Sequence, residues 1–280
     1  MKLKKLLAAT LGLSMMFAIP AYANDADAVA VYQQMEQKSK EMSDMNAFYD
    51  YKITMSDGSA NMDMRMEMNV KANQVQDPEH VKMNMYTRMT LGQIGSTGNG
   101  PGETETLDLS GTEMTYNVYY ADDMYYMDLM GQKIKQPMPI TEMMKQLKST
   151  TGMMETDLQY LKDMKLRVEG EDRIVSFSMD MAQMNGLLEQ VMGMQGMPDM
   201  EGISYGYRDV TGEYVVNPDG YCTKMRMKMT MDMTAEGETM TITMDGDVGF
   251  ADPGQPVEIQ VPNLAEYQLA ATLDQQMMQE

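Results

Sequence analysis

Asn61-Met62-Asp63-Met64-Arg65-Met66-Glu67-Met68-Asn69-Val70-Lys71-Ala72 is the stretch whose reading decides the fold. Met62, Met64, Met66, Met68, Val70 and Ala72 occupy one parity, and Asp63, Arg65, Glu67, Asn69 and Lys71 the other. Successive side chains of a β-strand point to opposite faces, so this alternation describes a strand with one apolar and one wet face. Cys222 to Met233 repeats the pattern, with Met225, Met227, Met229, Met231 and Met233 in phase and Arg226, Lys228 and Asp232 between them. Val81, Met83, Met85, Met89 and Leu91 keep the same period, and so do Tyr49, Tyr51, Ile53 and Met55. Half-buried alternating strands of this kind make antiparallel sheets.

Working outward, turn chemistry separates the strands. Ser56-Asp57-Gly58-Ser59, Ala121-Asp122-Asp123, Gly170-Glu171-Asp172, Asn217-Pro218-Asp219-Gly220 and Ala235-Glu236-Gly237-Glu238 each read as a reversal. Gly92 to Glu103 reads as a loop by composition. Helical periodicity predicts a helix from Asn24 to about Asn46, with Ala28, Tyr32, Met35, Met42 and Met45 near one face. Shorter helices are expected over Thr141 to Lys148, Glu155 to Met164 and Ala182 to Met194. Val257 to Val261 reads as extended chain, and a closing helix is expected from Asn263 to Met278, capped by Asn263.

The first 23 residues read as a cleavable signal peptide. Lys2, Lys4 and Lys5 form a basic start, Leu6 to Ile19 an apolar run, and Ala21-Tyr22-Ala23 a small-x-small cleavage site after Pro20. The apolar run is shorter than the roughly 20 residues a transmembrane helix needs. No cysteine stands at the Ala23-Asn24 junction, so no lipid anchor and no stable membrane anchor is expected. A secreted, extracytoplasmic chain with one domain over 24–280 follows as the expectation. Loss of three lysines with the leader takes the formal charge from −20 to −23, which argues against nucleic acid and anionic membranes as partners. Cys222 is the one cysteine, so no internal disulfide forms and stability must come from the core.

The sequence holds forty methionines in 280 residues, and those at alternate strand positions stand where Val and Ile are usually preferred. Three accounts compete. Methionine fills an ordinary core, or it makes a soft wall adaptable to flexible ligands, or it scavenges oxidants or soft metal. The candidate apolar wall is Met62, Met64, Met66, Met68, Met83, Met85, Met225, Met227, Met229, Met231 and Met233. Catalysis finds little support. Cys222 would need a base, and His80 is the one histidine. No Gly-x-Ser-x-Gly elbow, zinc signature or phosphate-cradling Gly-Lys-Ser/Thr is present. Acidic residues are plentiful, yet no spacing selects a catalytic pair. No cofactor and no metal site is expected.

The Met-x-Met strands, the block Tyr119-Tyr120-Ala121-Asp122-Asp123-Met124-Tyr125-Tyr126-Met127, the Asn217-Pro218-Asp219-Gly220-Tyr221-Cys222 turn and the closing Val257-Glu258-Ile259-Gln260-Val261-Pro262 together resemble a family of secreted and lipid-anchored proteins of Gram-positive bacteria. That family is similar to the LolA and LolB lipoprotein carriers. The resemblance implies an α+β fold: a curved, incompletely closed antiparallel β-barrel or sheet, with helices covering the concave face. It implies non-enzymatic binding or carriage of a lipid or other hydrophobic small molecule. A Met-rich structural or stress protein that scavenges oxidants or copper is the alternative, and a hydrolase built on unselected carboxylates is a weaker third.

Overall fold

The computed structural model describes residues 25–57, 60–77, 79–97, 104–142, 158–186, 203–235 and 237–270. The signal peptide lies outside them, as do most of the helices expected over Thr141 to Lys148 and Ala182 to Met194. Of these helices, 140–142 and 181–186 are described and are helical.

One helix, α1 (Ala26–Glu41), precedes a single sheet of twelve strands. In chain order these are β1 (Met45–Ser56), β2 (Ala60–Asn73), β3 (Lys82–Thr97), β4 (Thr104–Ala121), β5 (Met124–Leu129), β6 (Gln132–Pro137), β7 (Leu161–Glu169), β8 (Asp172–Met179), β9 (Ile203–Val216), β10 (Cys222–Ala235), β11 (Glu238–Phe250) and β12 (Gln268–Leu269). Their spatial order is β12-β6-β5-β4-β3-β2-β1-β11-β10-β9-β8-β7. The ends of that order do not pair, so the curved sheet stays unclosed. Every pairing is antiparallel except β12 with β6. Most connections are therefore tight hairpins. Asp122 and Asp123, at φ 53° and 55°, form one of them in the left-handed region that Asp tolerates.

Register, not strand propensity, sorts the side chains. Met68 lies opposite Tyr49, and Tyr49 opposite Val248, which in turn faces Met225. These residues share one face, and all are buried. The alternate residues carry the ion pairs: Arg65 grips Asp50 at 2.8–2.9 Å, Arg88 binds Glu67, and Lys228 meets Asp245 at 3.4 Å. A slip of one residue would exchange the two sets, so burial of one face fixes the register.

Helix α1 starts at Asp25, whose carboxylate accepts from the Asp27 N–H at 3.0 Å. It buries Ala28, Val31, Tyr32 and Met35 on the apolar face, beside β7 and β8. Tyr32 meets the Tyr214 ring at 5.6 Å, and Phe177 stacks on Tyr214 at 5.0 Å. After β11 the chain runs as a strap towards the opposite edge of the sheet. Asp44 accepts from the Val257 N–H at 2.7 Å, Tyr267 packs edge-on to Tyr126, and Glu266 pairs with Lys133.

Several sequence expectations are corrected. Gly92 to Thr97 belongs to β3, because Gln93 and Ile94 pair with Asp108 and Leu107. Gly92 is needed there for close approach: a Cβ would lie 3.0 Å from the Asp63 backbone oxygen. Leu161 to Met164 is strand, not helix. A bulge between Lys162 and Lys165 turns both Leu161 and Met164 inward, so a three-residue spacing mimics helical periodicity. Val257 to Val261 joins no ladder. Of the closing helix expected over Asn263 to Met278, the first part is instead a 3-10 turn, Leu264–Glu266, followed by β12; Ala270 is helical and 271–278 lies outside the described residues. Asn263 does cap the 3-10 turn, accepting from the Ala265 N–H at 3.4 Å.

Candidate functional site

Cross-strand partners share a face, so each of the eleven methionines can be placed by its neighbours. Met68, Met66, Met64 and Met62 stand opposite Tyr49, Tyr51, Ile53 and Met55 of β1. Met83 and Met85 stand opposite Ala72 and Val70 of β2. Met225, Met227, Met229 and Met231 face Val248, Gly246, Met244 and Ile242 of β11, and Met233 faces Met240. All eleven lie on the face that α1 covers.

Burial divides them in two. Met68, Met83, Met225, Met227 and Met229 are buried, and Met85 packs against the same cluster. Met62, Met64, Met66, Met231 and Met233 are half-buried and stand outside the cluster that the described residues form. Ile53, Met55, Met240 and Ile242 beside them are also half-buried. Among the described residues the apolar face thus has a closed end beneath α1 and an open end lined mostly by thioethers.

Two features mark the border. Gly246 and Gly212 leave room on the sheet for an aromatic ring from the adjoining strand. The Tyr51 ring lies over Gly246, where a Cβ would come within 2.8 Å, and the Phe177 ring lies over Gly212. Burial raises the pKa of the Tyr51 hydroxyl to about 12 and that of Tyr49 further still, so both stay neutral in a dry environment. Beyond the border the strands are bulged, between Met62 and Met64 against β3, between Leu91 and Gln93 against β4, and between Thr230 and Met231 against β9. Bulges bend strands and sharpen twist, so they curve the sheet at its open end.

The opposite face carries the paired charges and two shallow grooves. One, of about 570 Å³, is bordered by Phe48, Asp50, Glu67, Asn69, Tyr86, Arg88, Lys224 and Asp247 among others. The smaller, of about 310 Å³, lies by Glu213, Arg226 and Lys228.

The residues weighed for catalysis are not brought together. Cys222 is on β10, and His80 precedes β3. Four strand steps separate those strands, about 19 Å along the sheet at ~4.8 Å per step. Burial pushes the Cys222 thiol up to about 12, and the thiol donates to the Lys224 carbonyl at 3.4 Å. The His80 ring pairs with Asp77 at 2.8 Å within its own turn. Among the described residues no group of three or more His, Cys, Asp or Glu is placed to hold a metal ion. No helix among them is long and apolar enough to cross a membrane.

Comparison with known families assigns the chain. The model of a family of unknown function, DUF6612, matches residues 27–268. The chain belongs to the DUF6612 family. No curated protein matches the sequence. Three solved structures align with this DUF6612 chain at low identity. The Mycobacterium tuberculosis lipoprotein LppX is 10% identical, with 85% of this chain and 100% of that one covered and a TM-score of 0.40. Lipovitellin is 9% identical, with coverage of 80% and 27% and a TM-score of 0.37. A DUF1329 family protein from Desulfovibrio piger is 9% identical, with coverage of 82% and 95% and a TM-score of 0.25.

Reading the DUF6612 sequence alone missed the outer groove and the two glycine-backed rings. Phe48 breaks the polar parity of β1, as Tyr86 does in β3, and that break was the available signal.

Proposed function

We propose that this protein is a non-enzymatic binder or carrier of a flexible apolar molecule, such as a fatty acyl chain, and that it works outside the cytoplasm after loss of its leader. The observation that carries this reading is the half-buried state of Met62, Met64, Met66, Met231 and Met233, in one continuous face with a closed core. A face of unbranched thioethers adapts to shape at little cost, and its sulfurs are weak acceptors that read few polar groups. The ligand is therefore selected by length and apolarity, with little demand on its head group. Of the eleven methionines, the five at the open end contact ligand, and the six at the closed end hold the sheet to α1.

The test is a titration of the leaderless chain with fluorescent fatty acids of increasing length. Burial of each methylene contributes roughly 0.8 kcal/mol before ordering costs. Affinity should climb with chain length and then level off once the wall is covered. Met64→Asp combined with Met231→Asp should remove the climb, because two carboxylates without partners would then sit where the chain lies. Affinity flat with length, together with tight Cu(I) binding, would replace this reading with the scavenger.

A further inference from the structure

The groove on the charged face has no part in the function proposed above. Its middle is one cross-strand row: Lys224 faces Gly249, Gly249 faces Phe48, Phe48 faces Asn69, and Asn69 faces Tyr86. The row crosses β10, β11, β1, β2 and β3, about 19 Å at ~4.8 Å per strand step. Phe48 is 49% exposed and Tyr86 38%. Single exposed apolar residues are ordinary on a protein surface. These two are set apart by their setting. They stand two strands apart in one groove of about 570 Å³, on the face that carries the ion pairs.

Their neighbours keep the rings accessible. Gly249 beside Phe48 has open space where a Cβ would be, so nothing shields that side of the ring. The Asn69 amide, between the rings, has no hydrogen-bond partner among the described residues. It offers two donors and an acceptor at the floor of the groove. The carboxylates at the border are already neutralised: Asp50 by Arg65 at 2.8 Å, Glu67 by Arg88, and Asp247 by Lys224 at 2.8 Å. Held in place by these pairs, the carboxylates keep lone pairs for further hydrogen bonds.

This pattern narrows the ligand. Compensated charge gives an ionic ligand no net attraction. β1, β2, β3, β10 and β11 are each paired on both sides, so a peptide cannot join as an added strand. What fits is a molecule with flat apolar faces and a rim of hydroxyls, long enough to reach both rings. We propose that this groove binds an uncharged polysaccharide, with one sugar ring stacked on Phe48, a second on Tyr86, and hydroxyls bonded to Asn69 and to the paired carboxylates. The chain would lie across the strands, along the row from Lys224 to Tyr86.

The experiment is native electrophoresis of the leaderless protein through gels containing soluble neutral polysaccharides, namely xylan, galactomannan, and β-1,4- and β-1,3-linked glucans. At least one should retard the protein. Phe48→Ala and Tyr86→Ala should each weaken that binding roughly tenfold or more, as loss of an aromatic anchor does, and the double variant should lose it. Tyr86→Phe should keep it. Gly249→Val removes no contact and has space to fold, yet its branched side chain fills part of the groove beside Phe48; it too should bind more weakly. The double alanine variant should retain its fatty-acid titration, so failure here leaves the apolar face judged on its own. No retardation by any of these polymers would overturn the proposal. So would retardation that survives the double variant, or retardation by anionic polymers alone. Binding of an unfolded polypeptide that the same variants abolish would overturn it as well, and would reassign the groove to protein.

Discussion

The two ends of the apolar face are made from the same residue types on the same strands, yet they differ in what surrounds them. Met225, Met227 and Met229 are buried, while Met231 and Met233, two and four residues further along β10, are half-buried. Met68 is buried, while Met66, Met64 and Met62 on β2 are half-buried. At the closed end α1 supplies Tyr32 and Met35. An alternating Met strand is thus neither core nor site in itself. It becomes one or the other according to what is laid over it.

That contrast can be broken most sharply by a charge. Val248→Asp at the closed end places a carboxylate without a partner among Tyr49 and Met225, and should cost more than ~4 kcal/mol or prevent folding. Met64→Asp should leave a folded protein with impaired acyl binding. Urea unfolding at pH 7 reads the difference. If both variants unfold, the open end is core and the division drawn here is wrong.

Truncation makes the same comparison more gently. Met225→Ala should lose about 2–4 kcal/mol through lost burial and the cavity left behind, and Met64→Ala less than ~1 kcal/mol. Equal losses in denaturant unfolding would erase the boundary.

Asp180 tests whether the closed end is pinned by its polar anchors. It is buried, pairs with Lys162 at 2.7 Å, and accepts from the N–H groups of Ala182 and Gln183, capping the helical turn at 181–186. Asp180→Ala should cost about 2–4 kcal/mol at neutral pH, from loss of the cap and of Lys162's partner. The Lys162 ammonium, with added hydrogen bonds from Gln183, lowers the Asp180 pKa from 3.8 to about 2. The folded state therefore binds fewer protons than the unfolded state between these values. The stabilisation is complete above about pH 4 and is lost as pH falls through about 2, so wild type and variant should converge there.

Smaller effects sharpen the picture. Thr87 is fully buried among Met68 and Tyr116, and its hydroxyl has no partner among the described residues. Thr87→Val should be neutral or should add up to ~1 kcal/mol of stability, read as a higher urea midpoint, since a lone buried hydroxyl costs free energy. A clear destabilisation would reveal a partner for that hydroxyl. Smallest of all, Cys222→Ser should leave acyl binding unchanged. The native thiol, with its pKa near 12, should react with a disulfide reagent at pH 8 far more slowly than the unfolded chain does.

Much of the fold was legible in the residues. Period-two alternation in β1, β2, β3 and β10 assigned faces and sheet, because a half-buried strand leaves no other pattern. Asp122-Asp123, Gly170 and Asn217 to Gly220 marked reversals through their backbone preferences. Where the reading failed, a contact distant in sequence was responsible. β8 drew Leu161 to Met164 into a bulged strand, and β4 paired with Gln93 and Ile94 across a glycine-rich segment that reads locally as loop.

The sequence by itself determined that the methionines of each strand share one side and that the charges between them share the other. That follows from strand geometry, which depends only on parity. Tertiary structure alone decided which of those methionines are core and which remain half open, and that Phe48, Asn69 and Tyr86 form one row. Those outcomes depend on strand order, register and the placement of α1, all set by contacts between residues far apart in the chain.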